Sequence, residues 1–367
     1  MASHASALSR PVWLIVGVLL LAGCGVEALV RVAPKDVPAW PTASPEEVGL
    51  NKRQLDQVID SLPGDHSLRS VLLIRHKKLV YERYFAPYDA AALQDLRSAT
   101  KSITSLLVGT CIDRHEISGV DAPMMSTLRP EYPNTSRALD SITIEHLLTM
   151  RSGLDCDDSN TNTQGQEDRM YGSQDWVEYF LSLKVVAPPG TRTRYCTGGV
   201  VTLGRIAEKA SGKQFDALAK ERLFSAMGIR HARYQTFDNG QGIDSGGHLR
   251  MLPRDFAKFG ELVLRRGRWE GTSLVSEEWI EASTSLKTDF GEAHTTYGYL
   301  WWRSAVPAGD AQVPVIYASG NGGQVIFIVP SLDLVAAMTG GNYNSPKARL
   351  PFLLLAHAVL PALSEEP

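Results

Sequence analysis

The sequence is short of the features that assign a protein quickly. Four cysteines are too few for a disulfide-built scaffold, so the fold must rest on an apolar core. None of the nine histidines falls at zinc-ligand spacing or joins a cluster of acids. His146 and His357 lie in apolar helical stretches and read as packing residues. The chain therefore predicts no metal and no other cofactor. Basic and acidic residues nearly balance, 37 against 40, and no basic run stands out, so nothing favours nucleic acid as a partner. There is no internal repeat and no low-complexity tract. The one long apolar run, PVWLIVGVLLLAG at 11–23, is too short and too finely punctuated for a convincing membrane span.

What is present begins with that run. It follows Arg10 and ends in Leu21-Ala22-Gly23-Cys24, which resembles the lipobox of bacterial lipoprotein signal peptides. That resemblance implies cleavage before Cys24 and a lipid on its thiol. The mature chain would then be tethered to a membrane without spanning it, facing the periplasm or exterior of a bacterial cell envelope. An uncleaved N-terminal anchor is the alternative. On this reading residues 1–24 are a lipoprotein signal peptide, and 25–44, rich in proline and small residues, are a flexible stalk. Residues 45–367 are the folded domain.

Within the domain, 45–62 reads as a helix and 69–85 as a hairpin turning at Arg75-His76-Lys77-Lys78. From about 98 to 235 the signals are mostly helical, interrupted by the long polar loop 155–173. Helices follow Pro253 and Ser276. Strand patterns return at 297–305, 314–320, 324–330 and 334–340, and a helix at 348–360 closes the chain. Trp301 and Trp302 should face opposite sides of a strand. The order predicts an α+β fold: an antiparallel sheet built from both ends of the chain, flanked by helices, with a large helical insertion.

One stretch, LRSATKSITSLLVG at 96–109, contains the only Ser-x-x-Lys of the chain. Residues three apart share a helix face, so Lys101 sits beside Ser98 at the N-terminal end of an otherwise apolar helix. The helix dipole favours an anion there. A partly desolvated Lys101 would have a lowered pKa and could accept the serine proton. An N-cap serine with a solvated lysine fits the same residues equally well.

Further stretches decide between these. SATKSITSLLVG resembles the nucleophile segment of the serine β-lactamase and penicillin-binding superfamily, in its class C-related branch. TIEHLLTMRSGL (143–154), PPGTRTRYCTGGVVTLGRIAEKASG (188–212), LRMLPRDFAKFGELVL (249–264), YGYLWWR (297–303) and ASGNGGQVIFIVPSLDLV (318–335) are similar to later blocks, in the same order. The resemblance implies a β-lactamase/transpeptidase-like fold. It makes Ser98 the nucleophile of an acyl-enzyme, Lys101 its activating partner and Tyr195 the general base. It also implies an oxyanion hole of the Ser98 and Gly323 amides, with Thr197, Gly320, Asn321 and Gly322 in substrate-binding positions.

Two departures matter. Thr197 stands where the family has asparagine, and Gly320-Asn321-Gly322 stands where it has Lys-Thr-Gly. Without that lysine, a β-lactam carboxylate loses its charge partner. The resemblance therefore implies a hydrolase of an ester or small amide, akin to the esterases and 6-aminohexanoate amide hydrolases of that branch. A β-lactamase, a cell-wall peptidase or a non-catalytic lipoprotein binding module are the alternatives. Two segments bordering the family's cleft carry Cys156 and Cys196, which implies a disulfide between them; two reduced thiols are the alternative. Cys111 should be an inert buried thiol. The loop acids Asp155, Asp157, Asp158, Glu167 and Asp168 read as a solvated face or as a binder of a cationic substrate.

Overall fold

The computed structural model describes residues 29–291, 295–309 and 311–363. The expected signal peptide, with Cys24, lies outside them. A seven-stranded antiparallel sheet forms the centre, built from β1 (Leu68–Arg75), β2 (Lys78–Tyr84), β3 (Thr295–Tyr297), β4 (Trp302–Ala308), β5 (Ala311–Gly320), β6 (Gln324–Val329) and β7 (Leu334–Gly340). Its order is β3-β4-β5-β6-β7-β1-β2, so the N-terminal hairpin completes a sheet started by the C-terminal strands. Val71 pairs with Met338, and Ile74 with Val335.

β1 is buried along its whole length because helices cover both sheet faces. Alternate side chains therefore enter different cores. Val71 and Leu73 join Leu55, Ile59, Leu355 and Val359, from helix α1 (Lys52–Asp60) and the C-terminal helix. Leu72 and Ile74 join the larger core with helices α2 (Thr100–Asp113), α3 (Thr197–Ser211), α4 (Pro253–Leu264) and α5 (Glu277–Thr284). α4 approaches the sheet closely at Gly260, where a Cβ would stand 2.5 Å from Val335 and 2.6 Å from Ile326. α2 is buried on every side from Thr100 to Cys111, which places Cys111 among apolar neighbours. An apolar helix with no solvent face is the natural support for a site at its end.

The expected flexible stalk needs correction. Val32 and Leu93 exchange backbone hydrogen bonds with Ala91 and Val30, Leu79 N–H donates to Pro41 O at 2.8 Å, and Trp40 Nε1–H donates to Lys77 O at 3.1 Å. Residues 30–41 are therefore strapped along the edge of the domain, because their backbone finds partners there that a free stalk would find only in water. Among the described residues no helix is long and apolar enough to cross a membrane.

Candidate active site

Ser98 lies on a single 3₁₀ turn, Arg97–Ala99, one step ahead of α2 rather than at its first residue. The turn forces Arg97 to a φ of 49°, a left-handed conformation that costs a non-glycine residue about 1 kcal/mol. Buried Asp95 holds it there, accepting from Arg97 N–H at 3.0 Å and pairing with its guanidinium at 3.3 Å. His248 Nδ1 lies 2.9 Å from the same carboxylate. The turn is also bonded to the chain behind it through Leu96 N–H and Leu249 O, at 2.9 Å. The Ser98 backbone is thus fixed from several sides before any substrate arrives.

Lys101 is fully enclosed, 1% exposed. Its Nζ donates to Gly246 O at 2.6 Å, Thr197 Oγ1 at 2.9 Å and Ser98 Oγ at 3.2 Å. Three acceptors around one nitrogen are what an ammonium requires. Burial pulls the lysine pKa down, but Tyr195, Asp158, Glu167 and Asp244 together push it above its ordinary value. The expected lowering is therefore corrected. The acids keep Lys101 cationic, so it stands beside Ser98 as a charged donor.

Tyr195 lies close to this cation, with Lys101 Nζ 5.1 Å from its ring centre. Trp302 stacks on the ring at 6.1 Å and Phe290 leans against it at 6.1 Å. Trp302 is half-buried while Trp301 is fully buried, but the strand begins only at Trp302, so the two do not alternate on it as expected. Burial raises the Tyr195 pKa, with Lys101 and a hydrogen bond to Ser98 opposing and Asp158 and Glu167 adding to the rise. The net direction is upward, so the phenol carries its proton at neutral pH.

The disulfide between Cys156 and Cys196 is present, with Cα atoms 5.6 Å apart. Cys196 separates Tyr195 from Thr197, the first residue of α3. Thr197 does not face substrate as expected. It is 1% exposed, accepts from Lys101, and donates from both its amide and its hydroxyl to Asp158 Oδ2 at 2.7 Å. Its hydroxyl also lies 3.2 Å from Glu167 Oε2. Asp158 and Glu167 accordingly leave the solvated loop face assigned to them and turn under the lysine. Burial raises the Asp158 carboxyl to about 6, against the pull of Lys101.

Asp244 escaped the sequence reading altogether. It is fully buried, accepts from Gly246 N–H at 3.1 Å, and is also raised to about 6, chiefly by burial. The glycine pair after Asp244-Ser245, just ahead of the LRMLP block, was the only available hint.

The glycine segment separates into two parts. Gly320, the last residue of β5, lies against the nucleophile turn: a Cβ there would stand 2.2 Å from Leu96 O and 3.0 Å from Ala99 N. Asn321, Gly322 and Gly323 form the turn into β6. Asn321 binds Asn344 through both ends of its amide, at 2.7 and 2.9 Å. Gly322, at φ 93°, packs beside Tyr343. Gly323 is not the oxyanion donor that was expected: its N–H closes the turn onto Gly320 O at 3.3 Å, and its α-carbon faces Ala348 and Pro351. An amide spent inside a turn is unavailable to substrate. Among the described residues no group of three His, Cys, Asp or Glu is arranged to hold a metal ion.

Comparison with known proteins agrees with this geometry. Residues 55–358 match the profile of the Beta-lactamase family. A 6-aminohexanoate-dimer hydrolase from Paenarthrobacter ureafaciens is 23% identical over 322 residues, spanning 81% of this chain and 78% of that protein. A Bacillus anthracis structure described as a candidate 6-aminohexanoate-dimer hydrolase superposes with a TM-score of 0.72 at 20% identity, over 90% of this chain and 89% of that one. An octameric penicillin-binding protein homologue from Pyrococcus abyssi superposes with a TM-score of 0.65 at 20% identity, over 83% and 76%. The chain belongs to the Beta-lactamase family, has the β-lactamase/transpeptidase-like fold, and is a serine hydrolase.

Proposed function

We propose that the protein cleaves a small amide or ester through an acyl-enzyme on Ser98. The observation that carries this is the Ser98–Lys101–Tyr195 group, with a cationic lysine donating to the nucleophile oxygen and a neutral tyrosine bonded to it. As Ser98 Oγ attacks the carbonyl carbon, its proton passes to Tyr195 Oη, and the phenol proton passes on to the leaving group. Lys101 stays charged throughout and offsets the negative charge that develops on Oγ. A tyrosine that holds its proton suits an amide, whose departing nitrogen must be protonated, and serves an ester as well.

The oxyanion would be held by the Ser98 amide and by an amide at the end of β5. Because Gly320 O points toward Gly323, the strand alternation turns the Asn321 N–H to the opposite side, where β4 pairing has ended at Trp302–Tyr317. Asn321 is thus the second donor in this reading, with Gly320 allowing the close approach. Gly320, Asn321 and Gly322 stand where the family has Lys-Thr-Gly, and the absence of that lysine argues against a β-lactam carboxylate as the favoured ligand. The 6-aminohexanoate-dimer hydrolase relative points the same way, toward a short amide. Phe290, Trp302 and Tyr195 supply an aromatic wall for an apolar chain. A lipid on Cys24 would hold the domain at the envelope membrane, its substrate a small molecule from the periplasm or exterior.

The test is intact mass of residues 25–367 after exposure to a fluorophosphonate, with peptide mapping and Ser98→Ala as control. One adduct on Ser98, absent from the variant, is expected. A folded protein that takes up no probe would overturn the assignment and leave a binding module. Short amides and esters compared on the unlabelled enzyme then fix the leaving group.

A further inference from the structure

Lys101 has three donors, and one of its acceptors is itself held in place. The Thr197 hydroxyl has a single proton. It gives that proton to Asp158 Oδ2 at 2.7 Å, which leaves a lone pair facing Lys101 Nζ at 2.9 Å. Asp158 Oδ2 accepts the Thr197 amide as well, also at 2.7 Å, so the carboxylate fixes both the residue and the direction of its hydroxyl. Glu167 lies further from the same hydroxyl, at 3.2 Å, and receives Tyr171 instead. The Asp158 backbone is held in turn, donating to Tyr195 O at 2.8 Å two residues after the disulfide. Its second oxygen, Oδ1, is buried without a hydrogen bond among the described residues.

We infer that Asp158 is a positioning residue of the reaction, acting through Thr197 to aim the Lys101 ammonium at Ser98. Among the described residues its hydrogen bonds go to Thr197 and Tyr195 and not to Ser98. The inference rests on the Ser98 reading proposed above and adds to it the group that orients the lysine.

The consequence is a dependence on pH. The charged and titratable groups facing Asp158 are Lys101 from α2, Glu167 and Tyr171 from the helix Glu167–Tyr171, and Tyr195 ahead of α3. Asp244 acts on Lys101 as well, through its charge. When Asp158 takes up a proton on its unbonded Oδ1, with its carboxyl at about 6, Oδ2 becomes a neutral and weaker acceptor of the Thr197 O–H, so the hydroxyl is no longer held with its lone pair toward Lys101. Lys101 then loses one of its three anchors, and its hold on Ser98 loosens.

The experiment is the rate of Ser98 labelling by a fluorophosphonate between about pH 5 and pH 8, a range that brackets the carboxyl titration. It compares the wild-type chain with Asp158→Asn, Thr197→Val and Asp244→Asn. The wild type should show a rise in rate centred near pH 6 that Asp158→Asn and Thr197→Val lack. At the upper end both variants should label about tenfold more slowly than wild type, as expected for a displaced catalytic cation. At the lower end the wild-type and Asp158→Asn rates should converge. Thermal melts establish folding, and Thr197→Val carries the test alone should Asp158→Asn misfold. A wild-type rate and profile in Asp158→Asn would overturn the inference. So would a rise that survives in Asp158→Asn but disappears in Asp244→Asn. A wild type that is never labelled at Ser98 would instead overturn the nucleophile assignment on which the inference stands.

Discussion

Replacing Gly320 by alanine tests whether β5 really sets the geometry around the nucleophile. The added Cβ would sit 2.2 Å from Leu96 O and 3.0 Å from Ala99 N, where ordinary contact begins near 3.4 Å. Both neighbours are backbone atoms of the serine turn, which Asp95 and Leu249 pin from behind. No side chain can swing aside, so strand and turn must separate by about 1 Å, and misplacement on that scale costs roughly 10²-fold in rate. That corresponds to about 2.7 kcal/mol of transition-state stabilisation. Overpacking should also lower stability, by about 1–3 kcal/mol. The assay is kcat/KM on an activated ester together with the Ser98 labelling rate, each scaled to the folded fraction from a urea melt. Gly64→Ala is the control, because nothing lies within 4 Å of its added Cβ and its φ is ordinary. Gly320→Ala with both rates near wild type, in a folded protein, would refute the close approach of β5 to the Ser98 turn.

Removing the disulfide with Cys156→Ser and Cys196→Ser should be costly as well. The bond closes a loop of sequence separation 40, which in the chain-entropy picture corresponds to about 4 kcal/mol. Urea melts of the double variant, and of the wild type with and without reductant, measure it; a change below about 1 kcal/mol would show that the loop is held mainly by its other bonds, such as Asp158 to Tyr195. Asp244→Asn should change stability in the opposite direction at high pH. The Asp244 carboxyl rises from an ordinary 3.8 to about 6 on folding, so the folded state binds its proton more tightly. Its contribution is present below about pH 4 and lost as pH rises through about 6. The asparagine variant should therefore equal wild type near pH 3.5 and exceed it at pH 8, by at most about 3 kcal/mol. Melts across that range check it, and a variant less stable at pH 8 would reverse the sign assigned to the group.

Much of the architecture was legible because it depends on local pattern. The alternating apolar strands, the apolar helix behind Ser98 and the final helix all occur near their expected residues. Ser98, Lys101 and Tyr195 were legible because their segments keep a recognisable order. What failed did so for one kind of reason. Residues 30–41 looked like a stalk, since composition does not show that their backbone pairs with residues 77–93. Asp158 and Glu167 looked solvated, since a polar loop reads the same whether its acids face water or a buried lysine. Gly323 looked like an amide donor until the turn consumed its N–H.

The sequence by itself determined most of the secondary-structure elements, which follow from residue type and periodicity, and it singled out Ser98, Lys101 and Tyr195 through the resemblance of their segments to a known family. Tertiary structure alone decided their charge states. A lysine in an apolar setting should lose its proton; this one keeps it, because three acids from two distant loops converge on it. Coulomb interactions depend on distance in space, and folding brings residues 101, 158, 167 and 244 within reach of one another.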